Sequence, residues 1–329
     1  MENQIVKFPP PPRLISAFTA GFDAIANRIA LIALPALVDL FLWLGPHLRL
    51  KDFSQAWWDL SRSSPFFKTP DGAEMAAVEQ SMTDFFTRFN LFSGLRTFPV
   101  GPSSLMSSGM PIETPLGAPI FFQPVSLFTA FGWGLLILLA GWFIGALYFR
   151  SVSGVALSQP PRPLGDSILQ AFKLSVFWLL ALVIFGLPAL FLFTLVSLIS
   201  PALAQGALIL AGMVSLWLVL PVYFSPHGIF ASQQDAFSAV RSSLRMIRYT
   251  LPTSGLFLFG VIIISQGLDF LWRTPPEASW WILVGIAGHA FISTALLAAS
   301  FVYYRDVNVW LNTVLEQMKQ QQQPVSAKV

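Results

Sequence analysis

Three ionisable side chains lie in stretches otherwise almost free of charge, and they are the first candidates for chemistry. Asp39 is the one charge among the 18 residues Ile29–Pro46. Asp269 closes a run of 20 uncharged residues that follows Arg248, and His289 lies within the 27 uncharged residues between Glu277 and Arg305. An aspartate and an imidazole that meet away from water can hold a cation or pass a proton, since burial moves carboxyl groups toward the range of imidazole. Gln266, about one helical turn before Asp269, would complete such a group. The plainer alternative pairs Asp269 with Arg273 at i+4 and leaves Asp39 and His289 bridging helices.

Other chemistry finds little support. The chain has no cysteine, which removes disulfides, thiol catalysis and cysteine-held zinc. It has no Gly-x-Ser-x-Gly elbow, no His-Glu-x-x-His and no phosphate-binding Gly-Lys loop. No catalytic, cofactor or metal residues are expected, and an enzyme is the least favoured class. His47 and His227 stand alone near the ends of apolar runs and read as loop histidines. Basic residues are scattered, with a net charge of only +3, so nucleic acid is not an expected partner.

The elements that must position these residues follow from composition. Of 329 residues 55% are hydrophobic and 11% charged, against about 25% charged in soluble domains. Mean hydropathy is +0.66. Such a chain cannot cover a soluble surface, so an all-α polytopic membrane protein is expected. The first 28 residues have no apolar core followed by a small-residue cleavage site, and the first apolar stretch reads as an anchor that stays.

Charge-free runs locate the spans. Besides the intervals above, 36 uncharged residues lie between Glu113 and Arg150 and 61 between Lys173 and Asp235. One span needs roughly 20 apolar residues, so the longest run holds two, divided near Ser200-Pro201. Six helices are expected: 29–46, 126–149, 176–199, 203–224, 251–272 and 280–304. Residues 1–28 form an arm and amphipathic helix, 47–125 an insertion, 126–310 the main membrane domain and 311–329 a disordered tail.

Basic residues orient the spans. The amino arm, the loops at 150–175 and 225–250 and the carboxyl tail together hold 12 of the 19 lysines and arginines. By the positive-inside rule both termini are cytoplasmic and the insertion is extracytoplasmic. The location expected is the cytoplasmic membrane. Asp39 and His289 then lie roughly 10 Å and 13 Å below the outer boundary.

Three segments that each precede an outward span look alike: Leu14-Ile15-Ser16-Ala17-Phe18, Ile168-Leu169-Gln170-Ala171-Phe172 and Phe237-Ser238-Ala239-Val240. Ser167 with Gln170, and Ser232 with Asp235, have capping-box spacing. Phe237, Val240, Leu244 and Ile247 recur at 3-4-3 with Arg241, Arg245 and Arg248 set apart from them, the pattern of an amphipathic helix on an anionic membrane surface. Three copies of surface helix plus two spans, with the insertion in the first copy, account for the spacing. An Ala-Phe segment leading into a span, repeated over six spans, resembles bacterial integral membrane proteins related to the membrane domain of glycerophosphoryl diester phosphodiesterases. The resemblance covers about residues 150–310. It implies a membrane module; the hydrolase domain of that family has no counterpart here.

Within the insertion, Met75, Val78, Met82, Phe85, Phe89 and Phe92 form a 3-4 seam expected to pack on the membrane domain. A Pro-rich cover follows. A protein or lipid partner docking on that seam is the alternative. Gly141 and Gly145 form a small-xxx-small pair for close helix packing. The expected function is a non-enzymatic membrane protein that contacts lipid and partner proteins. A transporter using Asp39, Asp269 and His289, and a lipid-modifying enzyme, are the alternatives.

Overall fold

A computed structural model describes residues 9–63, 72–109 and 111–322. The protein is all-α, with five helices long and apolar enough to cross a membrane: Leu127–Leu157, Leu164–Ile199, Ala202–Ala231, Ala236–Trp272 and Ile282–Gln320. A further pair, Leu14–Ala26 with Ile29–Leu44, matches one span in composition but bends by 93° at its break. The first span expected from sequence is therefore the irregular one. It consists of a 3-10 turn, Ile29–Ile32, and a helix, Ala33–Leu44, together roughly 25 Å long against a hydrocarbon core of about 30 Å.

In chain order the helices are α1 (Leu14–Ala26), α2 (Ala33–Leu44), α3 (Lys51–Ser63), α4 (Gly72–Arg88), α5 (Met106–Gly109), α6 (Leu127–Leu157), α7 (Leu164–Ala181), α8 (Leu187–Ile199), α9 (Pro201–Ala231), α10 (Ala236–Trp272) and α11 (Ile282–Gln322). Two short strands, β1 (His47–Leu48) and β2 (Phe121–Phe122), pair in parallel. Several helices outrun the expected spans, because nothing breaks them where a surface segment meets a span. α7 begins at Leu164 rather than near 176, and α9 continues to Ala231 through Pro221 and Pro226. α11 runs on to Gln322, so residues 311–322, expected to be disordered, are helical. In α10 the surface part and the span are one helix interrupted at Thr250 (φ −126°, ψ 18°). Pro252 explains the break, since it lacks an N–H and its ring crowds the preceding turn.

The chain divides into two compact units. One comprises Met1–Arg28, Arg150–Ile264 and Ala295–Val329. Its three similar segments share a feature of burial. The aligned alanines, Ala17, Ala171 and Ala239, are all buried, and so are the small residues four positions on, Gly21, Ser175 and Ser243. A Cβ placed on Gly21 would lie 2.6 Å from Ala299 Cβ and closer still to its backbone. Ser243 donates to Pro221 O at 3.0 Å. Small residues let these helices approach others at backbone distance.

The expected capping boxes are displaced. α7 starts after Pro163 with Ser167 already inside it, its hydroxyl donating to Pro163 O. At α10 the cap is Asp235, whose Oδ1 accepts from Phe237 N and Ser238 N at 3.1 Å each. A hydrogen bond from the Ser238 side chain, with those backbone bonds behind it, holds the Asp235 carboxyl below its usual range. Gln170 caps a neighbour instead of its own helix, accepting from Ala236 N at 2.9 Å. Arg162 completes this corner, donating to Gln234 O at 2.6 Å and to the Asp166 carboxylate.

The second unit comprises Ile29–Phe149 and Ser265–Thr294. Val38, Leu42, Trp43, Leu105, Met106, Ile282 and Ile286 form its main apolar core. The two ends of the insertion are joined to each other by the β1–β2 pair, and its middle is joined to its start by Asn90 Oδ1, which accepts from Leu48 N at 3.0 Å and Phe92 N at 3.2 Å. The Met75–Phe92 seam is only partly used. Phe92 sits edge-on to Phe41 at 5.1 Å, whereas Val78, Met82 and Phe85 are exposed. Gly141 and Gly145 do make a close-packing notch, but no helix fills it. Cβ atoms there would lie 2.7 Å from Leu95 O and 2.5 Å from Val100 O, so the irregular stretch Leu95–Gly101 crosses α6 at these glycines.

Candidate functional site

Asp39 projects from α2 into the core of the second unit and is fully buried. A charge there persists only if hydrogen bonds replace its water. Three donors do so: Ser104 Oγ at 2.5 Å and Met106 N at 2.9 Å on Oδ1, and Leu105 N at 3.1 Å on Oδ2. Ser104 Oγ in turn accepts from Ser107 N at 3.0 Å. The carboxylate thus occupies the start of the short helix α5 and fastens the insertion to α2.

Asp269 and His289 meet as the sequence allows, with Oδ1 and Nδ1 2.7 Å apart. His289 is buried, and the Asp269 side chain is 14% exposed. His289 Nε2 is also buried and has no hydrogen-bond partner. The i+4 pairing of Asp269 with Arg273 does not form between side chains; the Arg273 guanidinium donates to Ser108 Oγ at 2.5 Å. Gln266 does not join the group, for it is exposed on α10.

A second polar layer surrounds these residues. Ser103 donates to Ser293 at 2.6 Å. Thr294 donates to Ala290 O at 2.6 Å, so Tyr148 must be the donor in its 2.9 Å bond to Thr294 Oγ1. Ser103, Ser104 and Tyr148 went unrecognised from sequence. Their partners are more than 60 residues away in each case, and hydroxyls have no periodic signature.

Both loop histidines are in fact buried. His47 Nε2 bonds Leu42 O at 3.2 Å, and the ring lies in β1. His227 is inside α9, with Nε2 2.6 Å from Ser300 Oγ and its ring 4.6 Å from that of Phe301. Ser300 Oγ also lies 2.7 Å from Leu297 O, and His227 Nδ1 lies 3.1 Å from Tyr223 O; a neutral ring carries one N–H, so it donates to Tyr223 O or to Ser300 Oγ but not to both.

In the first unit the three arginines of α10 form a separate surface. Arg241, Arg245 and Arg248 are exposed at i, i+4 and i+7, one stripe about 10 Å long. No ion pair to any of them is recorded among the described residues. Arg241 lies 5.9 Å from the ring of exposed Phe237, and Arg248 the same distance from exposed Tyr249. The face toward the protein consists of Ala239, Ser243, Met246 and Ile247. Of the apolar stripe expected to rest on the membrane surface, Phe237 and Leu244 are exposed, whereas Val240 and Ile247 are buried in the protein.

Among the described residues no group of three or more acidic, histidine or cysteine side chains has the geometry of a metal site. No family model, curated protein or solved structure matches this chain.

Proposed function

We propose that this is a non-enzymatic multi-pass protein of the cytoplasmic membrane that grips the anionic inner leaflet and organises lipid and partner proteins there. The observation that carries the reading is the exposed stripe Arg241–Arg245–Arg248 among the outward side chains Phe237, Leu244 and Tyr249. Guanidinium groups recognise phosphate, and aromatic side chains beside them sit well at the headgroup level. The distribution of basic residues supports placing both termini in the cytoplasm. The resemblance to membrane modules related to glycerophosphoryl diester phosphodiesterases is consistent with a lipid-facing role without hydrolysis. A transporter would need water to reach Asp39, and the burial of that carboxylate under three donors favours the lipid-contact reading.

The test is native mass spectrometry of lipids carried through purification, with Arg241, Arg245 and Arg248 each changed to Gln. Each arginine near the surface contributes about 1 kcal/mol toward anionic lipid, so the triple variant should lose most of its enrichment for anionic over zwitterionic species. Unchanged enrichment would refute the proposal. Sidedness is checked with Ser158→Cys, which should react with a membrane-impermeant thiol reagent only after cells are opened.

A further inference from the structure

The end of α10 and the start of α11 meet at two glycines. A Cβ on Gly285 would lie 2.4 Å from Trp272 O, and one on Gly288 would lie 2.7 Å from the Trp272 ring. Trp272 therefore rests directly on α11, and the chain must turn back over residues 273–281 to begin that helix. Pro275 and Pro276 keep the turn from continuing as helix, and a cavity of about 460 Å³ lies beside it. Leu271, Trp272, Val284 and Gly285 give the cavity an apolar lining, to which the turn adds Thr274 and Ser279. Small-molecule sites have this character, at roughly 300–1,000 Å³ and mostly apolar. Both hydroxyls are used locally: Thr274 donates to Phe270 O at 3.3 Å, and Ser279 Oγ accepts from Trp281 N at 3.3 Å. The lining thus offers an occupant chiefly apolar contact.

A positive charge stands beside this lining. Arg273 lies in the chain between Trp272 and Thr274, both of which line the cavity, and it is exposed. One of its five N–H donors is on Ser108 Oγ, which leaves others for a ligand. Among the described residues no carboxylate pairs with it. The two acids nearest in sequence are committed elsewhere: Asp269 to His289, and Glu277 to Arg88 at 3.8 Å and to Ile112 N at 3.0 Å. The turn also carries exposed Trp280 and Trp281, the residue type that gathers where a span meets the headgroup layer. From this juxtaposition we propose that the cavity binds one anionic phospholipid, with an acyl chain against Leu271, Trp272 and Val284 and the phosphate on Arg273. The occupant comes from the leaflet facing this turn. Leu271 and Val284 line the cavity and are also exposed on the flanks of two spans, so an acyl chain enters without crossing water. Long cationic side chains lay their stems on apolar surface and keep the charged head at headgroup level, and a guanidinium grips phosphate at two points. The site lies in the second unit and does not depend on the arginine stripe of the first.

The experiment uses the full chain with Arg241, Arg245 and Arg248 changed to Gln, so that lipid at the stripe makes no contribution. The delipidated protein in detergent micelles receives equal amounts of phosphatidylglycerol and phosphatidylcholine, and native mass spectrometry counts the lipids retained. One phosphatidylglycerol should stay bound in preference to phosphatidylcholine. Arg273→Gln should lower that preference about fivefold, the worth of one arginine toward anionic lipid. Val284→Trp, which fills the cavity, should abolish retention, whereas Leu208→Trp, at an exposed position of α9, should leave it unchanged. Because the chain has no cysteine, Ser279→Cys places a single thiol on the lining, and phosphatidylglycerol should protect it from a maleimide. Equal retention of the two lipids overturns the proposal, as does a Val284→Trp variant that retains lipid like its background. Retention of added oleate in place of phospholipid also overturns it, in favour of a fatty-acid site. Should Val284→Trp fail to fold, a Ser279→Cys thiol left unprotected by phosphatidylglycerol, or a preference unchanged in Arg273→Gln, refutes the proposal alone.

Discussion

The last span and the middle pair are almost equally apolar yet sit in opposite surroundings. The windows that qualify Ile282–Gln320 and Leu164–Ile199 as spans have mean hydropathies of 2.0 and 2.7, but 56% of the first is buried within the protein and none of the second. Ala202–Ala231, at 2.2, is 18% buried. Hydropathy therefore reports that a segment leaves water and says nothing of whether protein or lipid receives it. The difference lies in which residues face inward. α11 buries Ala290, Ala295, Ala298 and Ala299 together with Thr294, Ser300 and two tyrosines, whose hydroxyls find partners on other helices. The α8 hydroxyls of Thr194 and Ser197 turn back to their own backbone, and Leu, Phe and Ile fill its outer faces. Lipid is as apolar as leucine, so only close approach and hydrogen bonds distinguish a protein neighbour from an acyl chain.

One substitution made in both regions tests this most sharply. Gly21 faces Ala299 of α11 with no room for a Cβ, whereas nothing lies within 4 Å of a Cβ on Gly206 in α9. Gly21→Leu should destabilise the protein by about 3 kcal/mol through overpacking. Gly206→Leu should change stability by less than about 0.5 kcal/mol or raise it slightly, because leucine also favours the helix. Unfolding in mixed micelles by denaturing detergent measures both. Equal losses would mean that the α8–α9 pair is packed against something as tightly as α11.

The same contrast explains what the sequence could and could not convey. Runs without charge located the five long helices, because the cost of an unpaired charge in hydrocarbon is large and local. The inward faces were misjudged because the 3-4 rule for large apolar residues belongs to proteins in water. Here Val78 and Met82, expected to pack on the membrane domain, are exposed, while the small residues Ala239 and Ser243 face in. Asp269 and His289 were legible as members of one group of ionisable residues at similar depth, although the plainer reading paired Asp269 with Arg273. The fastening of Asp39 to Ser104 was not, for it joins residues 65 apart through a hydroxyl and two backbone amides. His227 was misplaced because the span was ended at 224, and the helix runs on to Ala231 through Pro226.

Polar groups provide the second comparison, of smaller size. Asp39→Ala removes the acceptor of three buried donors and should cost about 2 kcal/mol. Limited proteolysis should then cut first within the insertion. Thr194→Val, which removes a hydroxyl bonded only to Leu190 O on the same helix, should stay within about 0.5 kcal/mol of the parent. If Thr194→Val were the more damaging, the middle pair would depend on its hydroxyls for contacts beyond its own helix.

Acid should separate the two regions by the smallest margin. His47, outside the spans, has its imidazole held below the ordinary range, chiefly by burial and further by the nearby Arg49 charge, against a contribution from the Leu42 carbonyl. Above the unfolded value of about 6.5 the ring is neutral whether folded or not, and its stabilising contribution is complete. As pH falls below that value the unfolded segment takes up a proton that the folded one resists, so stability is lost until the folded ring also protonates. The segment 176–224 has no histidine and no charged residue, and its own unfolding should be indifferent over the same window. Amide exchange near β1 should therefore rise on acidification while exchange in α8 does not, after correction for intrinsic rates. His47→Gln should abolish the rise that belongs to this ring. If exchange near β1 followed pH in His47→Gln as in the parent, the buried ring would have no share in the acid sensitivity of the insertion.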